Sequence, residues 1–222
     1  MNTDWSTYMS PTSYYKELNK EFSNEYIPKF KEVYHFFKLN AVDENSLIRK
    51  LHLGYTAMRD EAFDFVSNEF PWLEEFRLKY NLSKRLNFLE THGLEKPTFE
   101  PHIDGKEFNE VMFNVPILNC TDETTTTWVE PIEKFEPVLL CENKTESSTI
   151  KGATPHIPDG VKYIDICSTQ ITNRAVLFRS NKFHKVINTT GRDEYRIMMH
   201  WWFPDYTTFD EAEKYYASVL SS

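Results

Sequence analysis

Between residues 13 and 38 apolar side chains recur at Tyr14, Leu18, Phe22, Tyr26, Phe30, Val33 and Phe37, spaced by threes and fours. One face of a helix repeats at that interval, so the pattern predicts an amphipathic helix. Pro28 lacks an N–H and crowds the preceding turn, which predicts a break or kink near Tyr26–Ile27. A second run over Glu44–Tyr80 carries Leu47, Leu51, Tyr55, Met58, Ala62, Phe65 and Val66 on the same period, divided by Gly54 and Pro71. The first eighty or so residues therefore read as helical.

From about Arg85 the period changes. Short β-branched and aromatic runs alternate with turn residues at Arg85–Thr91, Phe99–Asp104, Val111–Leu118, Thr125–Val129, Val138–Leu140, Tyr163–Cys167, Ala175–Arg179, His184–Asn188 and Glu194–Phe203. Many short strands with frequent turns predict an antiparallel barrel or sandwich. Glu142–Gly160, rich in Ser, Thr, Lys and Pro, reads as a surface loop or lid, mobile when empty. Thr208-x-x-Glu211 is a capping box ahead of an apolar stripe at Phe209, Ala212, Tyr216 and Val219, which predicts a last helix. The expected organisation is one α+β domain over 1–222. A helical part (1–84) and a short C-terminal helix (206–222) pack against a β core (85–205).

Composition narrows the function classes. The hydrophobic fraction of 40% and charged fraction of 27% are those of an ordinary globular domain rather than a disordered chain. Seventeen Phe, twelve Tyr and five Trp suit a thick core between layers. The net charge is −9 and no Lys/Arg run occurs, so nucleic acid is not an expected partner. Three widely spaced cysteines, Cys120, Cys141 and Cys167, make no disulfide framework. No secretory leader opens the chain and no stretch approaches the ~20 apolar residues of a membrane span. The expected setting is a reducing cytoplasm, without membrane contact.

The chemistry concentrates at Pro101-His102-Ile103-Asp104-Gly105. Residues i and i+2 of a strand share a face, so His102 and Asp104 project together. His184 is the downstream candidate for a third ligand. Two histidines and one carboxylate leave three positions of an octahedron open, the arrangement of non-haem iron(II) oxygenases. Those positions can take a bidentate 2-oxo acid and dioxygen. The far carboxylate of a 2-oxo dicarboxylate needs a cation, and the planar fork of arginine suits it. Arg192 and Arg196 both follow His184 closely. Arg192 reads as a solvated turn residue, whereas Arg196 lies in phase with Met198, His200 and Trp202 on a strand. Thr189-Thr190-Gly191 reads as a turn that would lay this strand antiparallel beside that of His184.

The set H-x-D, a distal His and a following Arg resembles the signature of the 2-oxoglutarate/iron(II)-dependent dioxygenase superfamily. Arg196–Phe203 resembles the last core strand of prolyl-hydroxylase-like members, and Val176-Leu177-Phe178 the strand leading to the distal histidine. Asn114–Asn119 resembles the strand after H-x-D in stand-alone bacterial and phage members. The resemblance covers residues 85–205. It implies a double-stranded β-helix, the jelly-roll core shared with cupins. It also implies a metal triad of His102, Asp104 and His184, with Arg196 holding the cosubstrate. The implied cofactors are Fe(II), 2-oxoglutarate and O2, with ascorbate as a stimulant. The implied activity is hydroxylation of a small molecule or a protein or amino-acid side chain, releasing succinate and CO2. Asp104 argues against halogenation, because the family's halogenases have a small residue there.

Two features depart from the family. Met198 stands where many members have a small hydroxyl residue, and Arg179 and Lys182 make the turn before His184 unusually basic. The alternatives are a cupin-type metal enzyme that does not use 2-oxoglutarate, against which Arg196 argues, and a non-catalytic jelly-roll module. Bland readings cover the rest. His35, His52 and His92 are structural or exposed, His156 is a surface residue of the lid, and His200 is a pocket or core histidine. Trp128, Trp201 and Trp202 are core, and Cys120 is a buried thiol.

Overall fold

The computed structural model describes residues 14–41, 48–50, 55–58, 62–91, 98–104, 110–140, 154–188 and 195–221. The elements run β1 (Tyr15–Glu17), α1 (Lys20–Asn40), β2 (Ile48–Lys50), β3 (Tyr55–Met58), α2 (Ala62–Glu69), α3 (Trp72–Lys79), β4 (Leu86–Thr91), β5 (Thr98–His102) and β6 (Val111–Leu118). They continue with β7 (Thr124–Pro131), β8 (Val138–Leu140), β9 (Thr154–His156), β10 (Tyr163–Thr169), β11 (Val176–Arg179), β12 (His184–Asn188), β13 (Arg196–Trp202) and α4 (Phe209–Tyr216).

The strands form two antiparallel sheets, ordered β1-β11-β6-β13-β4-β3-β2 and β10-β7-β12-β5-β9-β8. Eight of them make the core. β4, β6, β11 and β13 lie in the first sheet, and β5, β7, β10 and β12 in the second. From β4 to β7 and from β10 to β13 each successive strand changes sheet. That alternation defines a double-stranded β-helix, the expected jelly roll. Three N-terminal strands extend the first sheet at both ends, and β8–β9 extend the second beyond β5.

Strand parity sorts the side chains into two cores. On β6 and β13 the outward residues Val111, Phe113, Val115, Ile117, Ile197, Met199 and Trp201 join Phe22, Phe30, Val33 and Phe37 of α1, Phe76 of α3 and Tyr216 of α4 in the larger core. The inward residues Met112 and Met198 join Tyr14, Trp128, Cys167, Val176 and Phe178 in a smaller core between the sheets. The first sheet is thus buried on both faces, which is why β6 reads as an almost unbroken apolar run.

Several expectations change. Tyr15–Glu17, Ile48–Lys50 and Tyr55–Met58 are strands, so the first eighty residues are not helical throughout. Tyr55 and Met58 fit a helical period only because four-residue strands are too short to declare their own. Pro71 does divide α2 from α3, whereas α1 passes through Pro28 unbroken. The bond that Pro28 removes is to the carbonyl of Asn24, and both residues are exposed, so water can satisfy that carbonyl. Asn19 caps the start of α1, its Oδ1 accepting from the Phe22 N–H at 2.8 Å. α4 begins with the expected capping box of Thr208 and Glu211. Of Glu142–Gly160, residues 154–156 are strand β9 and residues 142–153 lie outside the described residues, as do Arg192, Cys141, His52 and His92. β13 does not run beside β12. The chain crosses between sheets after His184, because consecutive strands of this helix alternate between layers. No helix among the described residues is long and apolar enough to cross a membrane.

One ion pair pins α1 to the first sheet. Glu90 of β4 is 4% exposed and accepts from Lys38 Nζ at 2.8 Å through both oxygens and from the Tyr34 hydroxyl at 3.2 Å. Lys38→Met should leave this buried carboxylate with one neutral donor and cost about 2 kcal/mol of unfolding free energy. Urea denaturation checks this. The double variant with Glu90→Gln should recover most of the loss, because it also removes the stranded charge.

Candidate metal centre

β5 and β12 are neighbours in the second sheet, and His102 pairs directly with His184. Paired residues point to the same face, here the interior. β5 ends at His102, so Asp104 is presented by the chain just beyond it. The Ile103 N–H donates to the Pro155 carbonyl at 3.0 Å and the Asp104 N–H to the Ser180 carbonyl at 3.1 Å. These bonds turn the Asp104 carboxylate back between the imidazoles. His102 Nε2 lies 3.3 Å from Oδ1 and His184 Nε2 lies 3.2 Å from Oδ2.

Both imidazoles are oriented from behind. His102 Nδ1 lies 2.7 Å from the Glu100 carbonyl and His184 Nδ1 3.0 Å from the Lys182 carbonyl. A carbonyl can only accept, so each Nδ1 carries a proton, and with an ion bound each Nε2 would offer it a lone pair. Phe178 meets the His184 ring edge-on at 4.8 Å. Trp128, paired with His184 on β7, donates from Nε1 to the Arg179 carbonyl at 3.1 Å. One ligand atom from each of His102, Asp104 and His184 lies within 4.8 Å of the other two, so the three could hold one metal ion. Separations near 3 Å match neighbouring ligands at right angles on an ion bound at ~2.1 Å. The donor set of two neutral nitrogens and one carboxylate suits iron(II), and no cysteine belongs to it. His184 is 2% exposed, while Asp104 keeps 19% of its side chain open, so the centre is reached from one side. Burial pushes the Asp104 carboxyl up, but the two imidazoles, His184 foremost, outweigh it and hold the carboxyl well below the usual range.

The cavity behind the triad is lined by Leu89, Asn114, Thr126, Ile171, Phe178, Val186, Arg196, Met198 and His200. Arg196, Met198 and His200 project inward from β13 as the alternation requires, and Ile197, Met199 and Trp201 project outward. Tyr195 precedes the strand and is half exposed. Arg196 is 5% exposed, its Nε has no hydrogen-bond partner, and no carboxylate lies within ion-pairing distance among the described residues. Burial pulls its pKa down, and the Cys120 thiol beside it offsets only part of that. A buried guanidinium without an anion is costly, and an anion in this cavity would offset that cost. Asn114 Oδ1 is a second unpartnered polar atom on the wall.

His156 overturns its expected place on a surface lid. It pairs with His102 across β9 and β5, and the two rings lie 5.5 Å apart at 27°. Burial, with the His102 ring next, lowers its pKa. Its sequence neighbourhood carried no sign of this, because strand pairing between segments so far apart leaves no local periodicity. Arg179 is tied to Glu110 at 2.7 Å and lies over the Phe209 ring, so it braces α4 against β11. Lys182 and His35 are exposed. Cys120 and Cys167 are free thiols.

No protein-family model matches this chain, and no curated protein matches it. Among solved structures it is similar to the epimerase SnoN, crystallised with Fe3+, alpha ketoglutarate and nogalamycin RO. Identity is 13% over 86% of this chain and 78% of that one, with a TM-score of 0.43. It is also similar to E. coli ycfD, at 12% identity over 71% of this chain and 34% of that one, TM-score 0.32. A third is the L-ribose isomerase of Cellulomonas parahominis, at 9% identity over 85% of each chain, TM-score 0.33. Overlaps this loose assign neither activity nor ligand to the present chain.

Burial pushes the His200 imidazole down to about 4. An unfolded histidine titrates near ~6.5, so between these values the unfolded chain binds the extra proton. Stability of the metal-free protein should therefore fall as pH drops from ~6.5 towards ~4. His200→Gln should flatten that segment of the curve relative to wild type, as measured by urea unfolding across the range.

Proposed function

We propose that this chain is a non-haem iron(II), 2-oxoglutarate-dependent dioxygenase that hydroxylates a small molecule or a protein or amino-acid side chain. The observation that carries the reading is the pairing of two features in one cavity: the His102–Asp104–His184 group and the anion-less Arg196 behind it. A triad alone suits any cupin-type metal enzyme. A buried arginine facing the same space adds a subsite for the far carboxylate of a 2-oxo dicarboxylate.

His102, Asp104 and His184 would hold the ion, with Glu100 and Lys182 fixing the imidazoles through their carbonyls. When bound, iron(II) supplies oxygen activation coupled to decarboxylation of the 2-oxo acid to succinate. Arg196 binds and orients that acid through its far carboxylate. Leu89, Ile171, Phe178, Val186 and Met198 keep water from the space between. His200, neutral at physiological pH, can donate to a carboxylate oxygen without competing with Arg196 for charge. Met198 makes the cosubstrate wall apolar where many members of the family offer a hydroxyl.

Anaerobic titration with iron(II) should give one-to-one binding that weakens in His102→Ala, Asp104→Ala and His184→Ala. Iron, ascorbate, O2 and 2-oxoglutarate should together yield succinate. Arg196→Ala should weaken 2-oxoglutarate binding by about 2–4 kcal/mol, or roughly 30-fold to nearly a thousandfold, while metal affinity stays near wild type. Arg192→Ala should have little effect. Undiminished metal affinity in all three triad variants, or no 2-oxoglutarate binding by the iron-loaded wild type, would overturn the reading.

A further inference from the structure

A third imidazole stands beside the two of the triad, with nothing to bond to among the described residues. β9 is an addition to the eight-strand core and lies on the far side of β5 from β12. His156, His102 and His184 therefore form a row across three adjacent strands, with His156 and His184 flanking His102. The position is held firmly. The Ile103 N–H donates to the Pro155 carbonyl and the Ile157 N–H to the Pro101 carbonyl, both at 3.0 Å. These two bonds bracket the histidine pair and make it the close-approach, non-hydrogen-bonded kind, in which side chains sit nearest.

Both ring nitrogens of His156 are buried, and neither has a hydrogen-bond partner among the described residues. An uncharged imidazole carries one donor and one acceptor, and burying both unpaired costs free energy comparable to two lost hydrogen bonds. His156 is not among the residues around the Arg196 cavity, although the adjacent His102 is. It therefore lies outside the anion subsite, beside His102.

We propose that His156 is the specificity-determining residue of this centre, hydrogen-bonding an uncharged polar group, a hydroxyl or carboxamide, of the molecule to be oxidised. A group of that kind can give and take a hydrogen bond at once, as the imidazole requires. This rests on the dioxygenase reading for what happens next to the bound molecule, but the binding itself does not.

The test uses zinc-loaded, 15N-histidine-labelled full-length protein, with acetamide as the probe and acetate and methylammonium as charged counterparts. Acetamide should shift the His156 ring nitrogens saturably, at lower concentration than either ion. His156→Phe should bind acetamide at least tenfold more weakly, and His156→Asn, which keeps one donor and one acceptor, should retain part of the binding. Both variants should bind 2-oxoglutarate as wild type does. The proposal falls if the His156 signals do not move with acetamide, if an ion moves them first, or if His156→Phe binds acetamide unchanged. Loss of 2-oxoglutarate binding in the wild type would instead strike the dioxygenase reading, with the acetamide result standing apart from it.

Discussion

The register between β5 and β12 is the constraint on which the rest depends. His102 opposite His184 is a single cross-strand pair, and it turns two distant segments into one side of the candidate metal centre. Slippage by one residue would put Ile103 or Lys185 inward and abolish the site. The register is fixed by its surroundings. β12 is clamped on its other edge by five pairings to β7, from His184↔Trp128 to Asn188↔Thr124. Trp128 in turn is wholly buried against Phe178 and Tyr15. The apolar packing between the sheets thus sets where the ligands stand.

The second constraint is electrostatic. The first sheet buries two charged side chains from opposite faces. Glu90 faces outward and is answered by Lys38 and Tyr34 of α1. Arg196 faces inward and has no such answer among the described residues. The contrast matters because the same chain shows that it can supply a counter-charge where only stability is at stake. A buried cation with no counter-charge among the described residues costs stability that a bound anion would restore.

Much of this was legible in the residues. The strands from Leu86 onward other than β9, the capping box at Thr208, and the inward parity of Arg196, Met198 and His200 follow from periods of two and from end signals that act locally. H-x-D with a distal histidine and a strand-borne arginine pointed to residues that do come together. What could not be read depends on pairing between distant segments. Ile48–Lys50 and Tyr55–Met58 are strands because β4 offers an edge, and their own sequence is ambiguous. The idea that β13 lies beside β12 failed because a short turn-like segment looks the same whether the chain doubles back within a sheet or crosses to the other. His156 was obscured by the composition of its segment, since Ser, Thr and Lys nearby say loop while β5 makes three residues of it a strand.

The additions to the core divide along the same line. α1, α2, α3, α4 and strands β1, β2 and β3 all attach to the first sheet, where the larger core seals its outer face. That sheet carries Arg196, backed by the larger core. β8 and β9 attach instead to the second sheet, beside His102. An insertion there can change the wall next to the open side of the triad without disturbing the helices or the anion subsite. The Arg196 end of the cavity is thus built on the more heavily packed layer, and the open side of the triad borders the layer with fewer additions.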